Sequence, residues 1–305
     1  EIKKKVNKKI KKKNKELFEV LEDVEKYIKD KSLNKKIPFK PNPMNRLCLL
    51  LNLLKRAKND CLVIDIGTNS NVIRDTDINI YENGKISLGN MSEKQFFDEI
   101  DRCKKKNYFV VIPLGFTKFH QNMIIYNPYT DTYEHYEPHG SMFGNLDFRV
   151  ISRMYRSLRS FFTKNNSKYI IPTKTCPYIK GLQTIEQEDE SKGEKRNGVY
   201  IKDPNGFCTI WSFYLAELRL KYPKLTPIEI YQKAMKNTGE TSHKMRQFVR
   251  AYSRLFLKEL KKGQKYFKLL MDPKTDPIEY VTIVNQYNEY IKKRFKKFIC
   301  KKRDC

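Results

Sequence analysis

Long apolar stretches are missing from this chain of 305 residues. A membrane-spanning helix needs about 18 or more consecutive apolar residues, and the sequence has no such run. The N-terminus is rich in lysine and has no apolar segment of the kind that marks a secretory leader. We therefore expect neither a membrane span nor secretion.

Closely spaced metal-ligand pairs are missing too. The seven cysteines stand at positions 48, 61, 103, 176, 208, 300 and 305, and none forms the Cys-x-x-Cys pair typical of structural zinc sites. His135 and His139 are four residues apart, but on a strand that spacing is about 13 Å, and Pro138 disfavours a helix. We expect no zinc site, and the sequence implies no cofactor.

The cysteine count also bears on the redox compartment. An odd number of scattered cysteines argues against a disulfide framework. A reducing compartment suits such a chain, because it keeps a reactive thiol free.

Acidic residues are few, with 35 Asp and Glu against 62 Lys and Arg and a formal net charge of +27. Such an excess would ordinarily suggest a polyanionic partner. The chain is rich in Lys, Asn, Ile, Tyr and Phe together, which is typical of an AT-rich coding sequence. Much of the lysine is therefore expected to be solvated surface.

Composition divides the chain into three parts. Residues 1–58 are predicted to form a lysine-rich helical arm, 59–262 a core domain, and 263–305 a basic helical extension. Within the extension, residues 292–303 alternate basic residues with aromatic ones. The basic ends are therefore candidates for nucleic-acid binding, as an accessory to whatever the core does.

The core contains the three residue types of a thiol nucleophile with its base and orienting acid. Cys208 stands where a turn, 203–206, meets a run of apolar helix-forming residues that ends near Tyr222-Pro223. At the start of a helix, unpaired N–H groups and the positive end of the dipole favour a thiolate. The pattern predicts a buried helix with Cys208 in its first turn.

A predicted hairpin supplies the base and the acid. Its two strands flank the turn-rich segment 127–132, and a turn centred on Pro128-Tyr129 places His120 opposite Glu137. Cross-strand neighbours have Cβ atoms about 5 Å apart, within reach of a carboxylate–imidazole hydrogen bond. A longer turn would instead place His139 opposite His120, so the register is open at this point.

These motifs together resemble the SUMO-protease and adenovirus-protease family of cysteine peptidases, in particular its members in large DNA viruses. The resemblance covers about residues 108–222. It rests on His120-Gln121-Asn122, Glu137-Pro138-His139-Gly140, and Gly206-Phe207-Cys208 followed by Thr209-Ile210-Trp211-Ser212. It implies that Cys208 is the nucleophile, His120 the base and Glu137 the orienting acid.

The resemblance also implies a glutamine that donates to the oxyanion, often about six residues before the cysteine. Here that position is Lys202. Viral members place a Gly-x-Gln before an acidic insertion, which matches Gly181-Leu182-Gln183, so Gln183 is predicted to serve the oxyanion, with Gln187 as the alternative. Two further departures, Gln121 and Thr209 where the family often has tryptophan and glycine, concern the substrate channel.

The fold expected from this resemblance is α+β. A small central sheet would pack on the buried Cys208 helix, in a papain-like or SUMO-protease-like arrangement, between the N-terminal arm and the C-terminal helix. The implied activity is cleavage of peptide or isopeptide bonds, after Gly-Gly-type sequences, in ubiquitin-like conjugates or viral polyprotein precursors. Host cytoplasm or the virion would be its location. The alternative is a catalytically inactive protease-fold protein that binds nucleic acid through its basic ends.

Overall fold

The computed structural model describes residues 78–89, 91–116, 120–141, 147–189 and 207–259. It also describes the short pairs 61–62, 195–196 and 199–200, together with Leu49, Leu53 and Gln286, which are helical. These residues make a mixed sheet with helices on both of its faces.

Seven strands form the main sheet. Its order is β3-β2-β4-β5-β6-β7, and β1 pairs with β4 beside β2. The central strands β4, β5 and β6 run antiparallel, whereas β1 and β2 join β4, and β7 joins β6, in parallel. The strands are β1 (Cys61–Leu62), β2 (Ile78–Ile80), β3 (Ile86–Ser87), β4 (Val110–Phe116), β5 (His120–Asn127), β6 (Thr132–Tyr136) and β7 (Lys168–Ile170), with a separate antiparallel ribbon of β8 (Lys195–Arg196) and β9 (Val199–Tyr200).

Seven helices lie within the described residues: α1 (Glu93–Lys104), α2 (Phe148–Phe162), α3 (Pro172–Thr175), α4 (Leu182–Glu186), α5 (Cys208–Lys221), α6 (Pro227–Thr238) and α7 (Ser242–Glu259). Local sequence accounts for several of their ends. Ser92 and Gln95 form a capping box at the start of α1. Thr226 caps α6 ahead of Pro227, and Gly239 ends that helix with a left-handed φ of 82°.

Strand β5 separates two hydrophobic cores. Ile124 faces the core that α1 and α2 close, whereas Met123 and Ile125 face the core that α5, α6 and α7 close. Alternate residues of a strand point to opposite faces, so a strand covered on both faces is apolar throughout. All residues of β4 and β5 are accordingly buried. The prediction of an α+β fold is confirmed at this level.

The predicted terminal segments fall largely outside the described residues. Leu49 and Leu53 are the described part of the N-terminal arm, and both are buried in the same core as Trp211. They are four residues apart, so they lie on one helical face. Of the C-terminal extension, only Gln286 is described.

The structure also bears on the predicted state of the cysteines and on the prediction of no membrane span. Cys103 at the end of α1 is disulfide-bonded, which departs from the reducing compartment that the scattered cysteines suggested. Within the described ranges, no helix is both long and apolar enough to cross a lipid bilayer.

Candidate active site

Helix α5 begins at Cys208, as the sequence predicted. Its residues are buried nearly all round, and Phe207 at the N-cap supplies no side-chain hydrogen bond to the first turn. The hydroxyl of Ser212 donates to the backbone oxygen of Gln121, at 2.8 Å, and thereby ties the second turn of α5 to strand β5. The thiol is thus held at a helix N-terminus, beside the start of the strand that carries His120.

Cys208 is buried, with 6% of the residue exposed, and it is not disulfide-bonded. Burial by itself raises the pKa of a thiol, but here the hydrogen bond and positive charge of His120 outweigh it and lower the pKa of Cys208. Backbone hydrogen bonds at Gln121 and Thr209 act in the same direction. The arrangement favours a thiolate.

His120 lies between the thiol and a buried carboxylate. Its Nε2 is 2.7 Å from Oε1 of Glu137, whose side chain is fully buried. Burial alone would lower the pKa of His120, yet the charge of Glu137 and the hydrogen bonds to Cys208 and Glu137 raise that pKa to about 10. Burial by itself would raise the pKa of Glu137, but the charge and the hydrogen bond of His120 outweigh burial, so the pKa of Glu137 is lowered. Since Nε2 faces Glu137, Nδ1 is the ring nitrogen left for the thiol.

Of the two hairpin registers that the sequence left open, the structure adopts the longer turn, and His120 and Glu137 meet nevertheless. The observed pairing sets Met123 opposite Tyr136, two residues out of step with a turn centred on Pro128-Tyr129. Continued to the strand start, this longer-turn register would place His139 opposite His120. Strand β6 ends at Tyr136, so Glu137 reaches His120 from the loop that follows the strand.

His139 supports the pair from the same loop. Its backbone N–H donates to Oε1 of Glu137 at 2.9 Å, and its ring centroid is 4.8 Å from that of His120. Burial, only partly opposed by Glu137, lowers the pKa of His139 to about 4. A neutral imidazole therefore packs on the charged one. Its Nδ1 is 3.0 Å from the hydroxyl of Thr184 in α4.

Two glycines let this loop cross the segment that carries Gln183. The backbone N–H of Gly181 donates to the backbone oxygen of His139, at 2.6 Å, and Gly140 has a φ of 107°. A Cβ on Gly181 would lie 2.4 Å from the backbone nitrogen of Gly140, closer than side-chain atoms pack. The close approach requires glycine at both positions.

The crossing places Gln183 beside the loop that carries Glu137. The backbone N–H of Gln183 donates to the backbone oxygen of Pro138, at 3.0 Å, and the residue is only 3% exposed. Its helix, α4, also contacts α5, the helix that begins at Cys208. Gln187 is half-buried at the C-cap, one turn farther along α4. Lys202, the usual family position, lies outside the described residues. The structure thus brings Gln183 to the site neighbourhood and leaves Gln187 farther from the loop.

Two supporting residues, Tyr231 and Arg246, had no sequence signal. Tyr231 of α6 is fully buried, and its hydroxyl lies 3.1 Å from the backbone oxygen of Glu137 and 3.3 Å from the N–H of Leu182. Arg246 of α7 pairs with Glu186 of α4 at 2.5 Å, and its guanidinium lies over the ring of the residue before Cys208. No local motif marks such residues, since each contact joins segments remote in sequence.

The described residues contain no group of three or more His, Cys, Asp and Glu side chains arranged to hold a metal ion. His135 in particular is fully buried and hydrogen-bonded to Asn122 and to the hydroxyl of Tyr169. Burial lowers the pKa of His135 to about 3, so it is a neutral residue of the core.

The electrostatics lead to a prediction about labelling with iodoacetamide. An ordinary thiol with a pKa of ~8.5 reacts about 25-fold faster at pH 9 than at pH 7, because its thiolate fraction rises. The labelling rate of Cys208 should rise much less than this, since its pKa is lowered and His120 keeps its proton up to a pKa of about 10. Quantitative mass spectrometry of the labelled peptides measures the labelling rates of Cys208 and of a control cysteine, Cys176, in the same sample.

Cys176 is the internal control. It is a free, buried cysteine whose pKa burial raises to about 11, so its slow labelling should rise steeply over the same pH range. A steep rise at Cys208 would contradict the thiolate–imidazolium pair.

Comparison with known proteins adds one partial relative. A protein of Acanthamoeba polyphaga mimivirus, provisionally named an ankyrin repeat protein, is 27% identical over 161 residues, 49% of this chain. The match spans 20% of that relative's length. No protein-family model matches the chain, and no solved structure matches it.

The name of that relative does not describe the fold seen here. An ankyrin repeat is a β-turn followed by two helices over about 33 residues. The described residues instead form a mixed sheet enclosed by helices. The partial match therefore carries no repeat architecture to this chain.

Proposed function

We propose that this protein is a cysteine peptidase in which Cys208, His120 and Glu137 form the catalytic set. The observation that carries the proposal is the position of His120, hydrogen-bonded to Glu137 on one side and to Cys208 on the other. These residues come from a strand, a loop and a helix start. Core packing alone gives no reason to bury an ionised carboxylate, an imidazolium and a thiolate together.

In the first half of the reaction, the thiolate of Cys208 attacks the carbonyl carbon of a peptide or isopeptide bond. The C–S bond forms as the carbonyl electrons move to oxygen, and His120 then protonates the departing amine as the C–N bond breaks. Glu137 holds the imidazole in the orientation that faces the sulfur. The product of this half is a thioester on Cys208.

In the second half, neutral His120 removes a proton from water, and the oxygen attacks the thioester carbonyl. The C–S bond breaks, the acid product leaves, and Cys208 returns to its thiolate form beside protonated His120. The side-chain amide of Gln183 and the backbone N–H of Cys208 are the proposed donors to the oxyanion in both halves. Ties from Tyr231 and Arg246 to α4 hold Gln183 in place for this role.

The substrate class remains the one that the family resemblance implies. It comprises Gly-Gly-type sites in ubiquitin-like conjugates or viral polyprotein precursors, and the papain-like or SUMO-protease-like arrangement belongs to the same proposal. Partial similarity to a mimivirus protein supports a large-DNA-virus setting, with host cytoplasm or the virion as the location. The alternative, an inactive protease-fold binder with basic ends, draws on segments outside the described residues.

A panel of ubiquitin-like proteins bearing a C-terminal electrophile tests this proposal. We expect at least one to form a covalent adduct on Cys208, detected as a mass increase and mapped by peptide mass spectrometry. A Cys208→Ala protein should form none, and a Cys176→Ser protein should react as the parent does. If no probe reacts while Cys208 still labels rapidly with iodoacetamide, peptides from viral precursors become the substrates to test. If Cys208 is inert to every electrophile, the peptidase proposal fails.

A further inference from the structure

Helix α2 differs in its basic residues from the rest of the chain. Of the 62 basic residues, 15 are arginine, so lysine predominates about three to one. Helix α2 nevertheless contains four arginines and no lysine: Arg149, Arg153, Arg156 and Arg159. An AT-rich coding bias favours lysine and cannot account for this reversal.

All four arginine side chains are exposed. Arg149, Arg153 and Arg156 are spaced i, i+4 and i+7, which places them on one face, and Arg159 follows one turn later. At 1.5 Å per residue, the row extends over about 15 Å of helix axis. We name these four residues the arginine face.

The arginine face is not neutralised by carboxylates among the described residues. Helix α2 contains no acidic residue. Asp147 at its N-cap accepts a hydrogen bond from the backbone N–H of Arg149, at 2.6 Å. Elsewhere on this side of the sheet exposed cations do have partners, since Arg102 pairs with Glu99 and Lys164 with Glu93.

The buried side of α2 identifies where this face lies. Met154, Leu158 and Phe162 pack in the core that α1 and α2 close, across the sheet from the core of α5. The arginine face therefore points away from the Cys208 helix. A ligand bound to it would leave the candidate active site open.

We propose that the arginine face binds the phosphodiester backbone of nucleic acid. Arginine presents a planar fork of donors that matches two phosphate oxygens, whereas lysine offers a point charge. Phe148, 81% exposed at the start of the same helix, adds an aromatic surface on which an unpaired base can stack. A row of exposed arginines with a single exposed ring fits a phosphate backbone better than a lipid surface, which would need a broader apolar face. This site goes beyond the proposed peptidase activity and does not depend on it.

The test is the salt dependence of binding to a short duplex DNA and a short single strand, followed by fluorescence anisotropy. Each phosphate contact contributes about −0.9 to the slope of log K against log salt on duplex DNA. Replacing all four arginines by glutamine should reduce the magnitude of that slope by about 3 and weaken binding at moderate salt by at least about tenfold. Replacing them by lysine should retain most of the slope but weaken binding.

Two controls separate the arginine face from the general charge of the chain. Lys174, Lys224, Lys236 and Lys244 are exposed outside α2, and changing all four to glutamine removes the same charge. That variant should keep the parental slope. Deleting residues 292–305 should leave the contribution of the arginine face intact, and unchanged thermal unfolding verifies that each variant is folded.

Three results would overturn the proposal. An equal loss of slope in the lysine control would show that only net charge matters. Loss of binding with the 292–305 deletion alone would place the site in the basic tail. Binding to anionic phospholipid vesicles that depends on the four arginines, without binding to either nucleic acid, would assign the face to a membrane surface.

Discussion

Replacing Cys208 by alanine should reduce peptide hydrolysis by about 10⁴- to 10⁶-fold, the range seen when a nucleophile is removed from a catalytic set. The physical reason is that no other described thiol is activated by His120. The measurement is kcat/KM on whichever peptide or ubiquitin-like substrate the probe panel identifies. Thermal unfolding should change little, because the substitution removes one small buried atom.

Cys176→Ser is the matched control for that experiment. Cys176 is also free and buried, but its thiol donates to the backbone oxygen of Tyr178, 3.3 Å away, and burial raises its pKa to about 11. Serine keeps a donor at that position, so hydrolysis should stay near the parental rate. Full activity in Cys208→Ala would refute the assignment of the nucleophile.

Replacing Gln183 by alanine should lower kcat by about 10²- to 10³-fold, the usual cost of removing one oxyanion donor. Iodoacetamide labelling of Cys208 should be nearly unchanged, because displacement of iodide by a thiolate creates no oxyanion. The pair of measurements distinguishes a lost donor from a disturbed site, since a general distortion would slow both reactions.

Gln187→Ala provides the comparison within the same short helix. Gln187 is half-buried at the C-cap of α4, whereas Gln183 is buried beside the loop of Glu137. We expect Gln187→Ala to retain hydrolysis within about threefold, well below the effect of a lost donor. The opposite ranking would move the oxyanion role to Gln187.

Much of the local structure around Cys208 could be predicted from the sequence. A turn, an apolar helix-forming run and a closing Tyr222-Pro223 predicted α5, which the structure begins at Cys208 and ends at Lys221. The two strands predicted to flank the turn-rich segment 127–132 are present as β5 and β6. Such elements are predictable because their signals are local periodicity and breakers.

The hairpin register is what local reasoning left open. A difference of one residue in the centre of the turn changes every cross-strand partner by two, and the turn-rich segment 127–132 is compatible with either choice. The structure adopts the longer turn, in which Asn127 pairs with Thr132. His120 and Glu137 still meet because Glu137 lies just beyond the strand, where loop backbone rather than register sets its position.

The sequence by itself determined the helix at Cys208 and the choice of His120 and Glu137 as its candidate partners, because residue type and local pattern carry that information. The α+β class and the choice of Gln183 were what the resemblance of the motifs to a cysteine-peptidase family implied. Only the tertiary structure decided how these residues meet. The crossing at Gly140 and Gly181, the neutral His139 beside charged His120, and the ties from Tyr231 and Arg246 all join distant segments. Burial and long-range contacts set these distances and pKa values, and neither can be read from neighbouring residues.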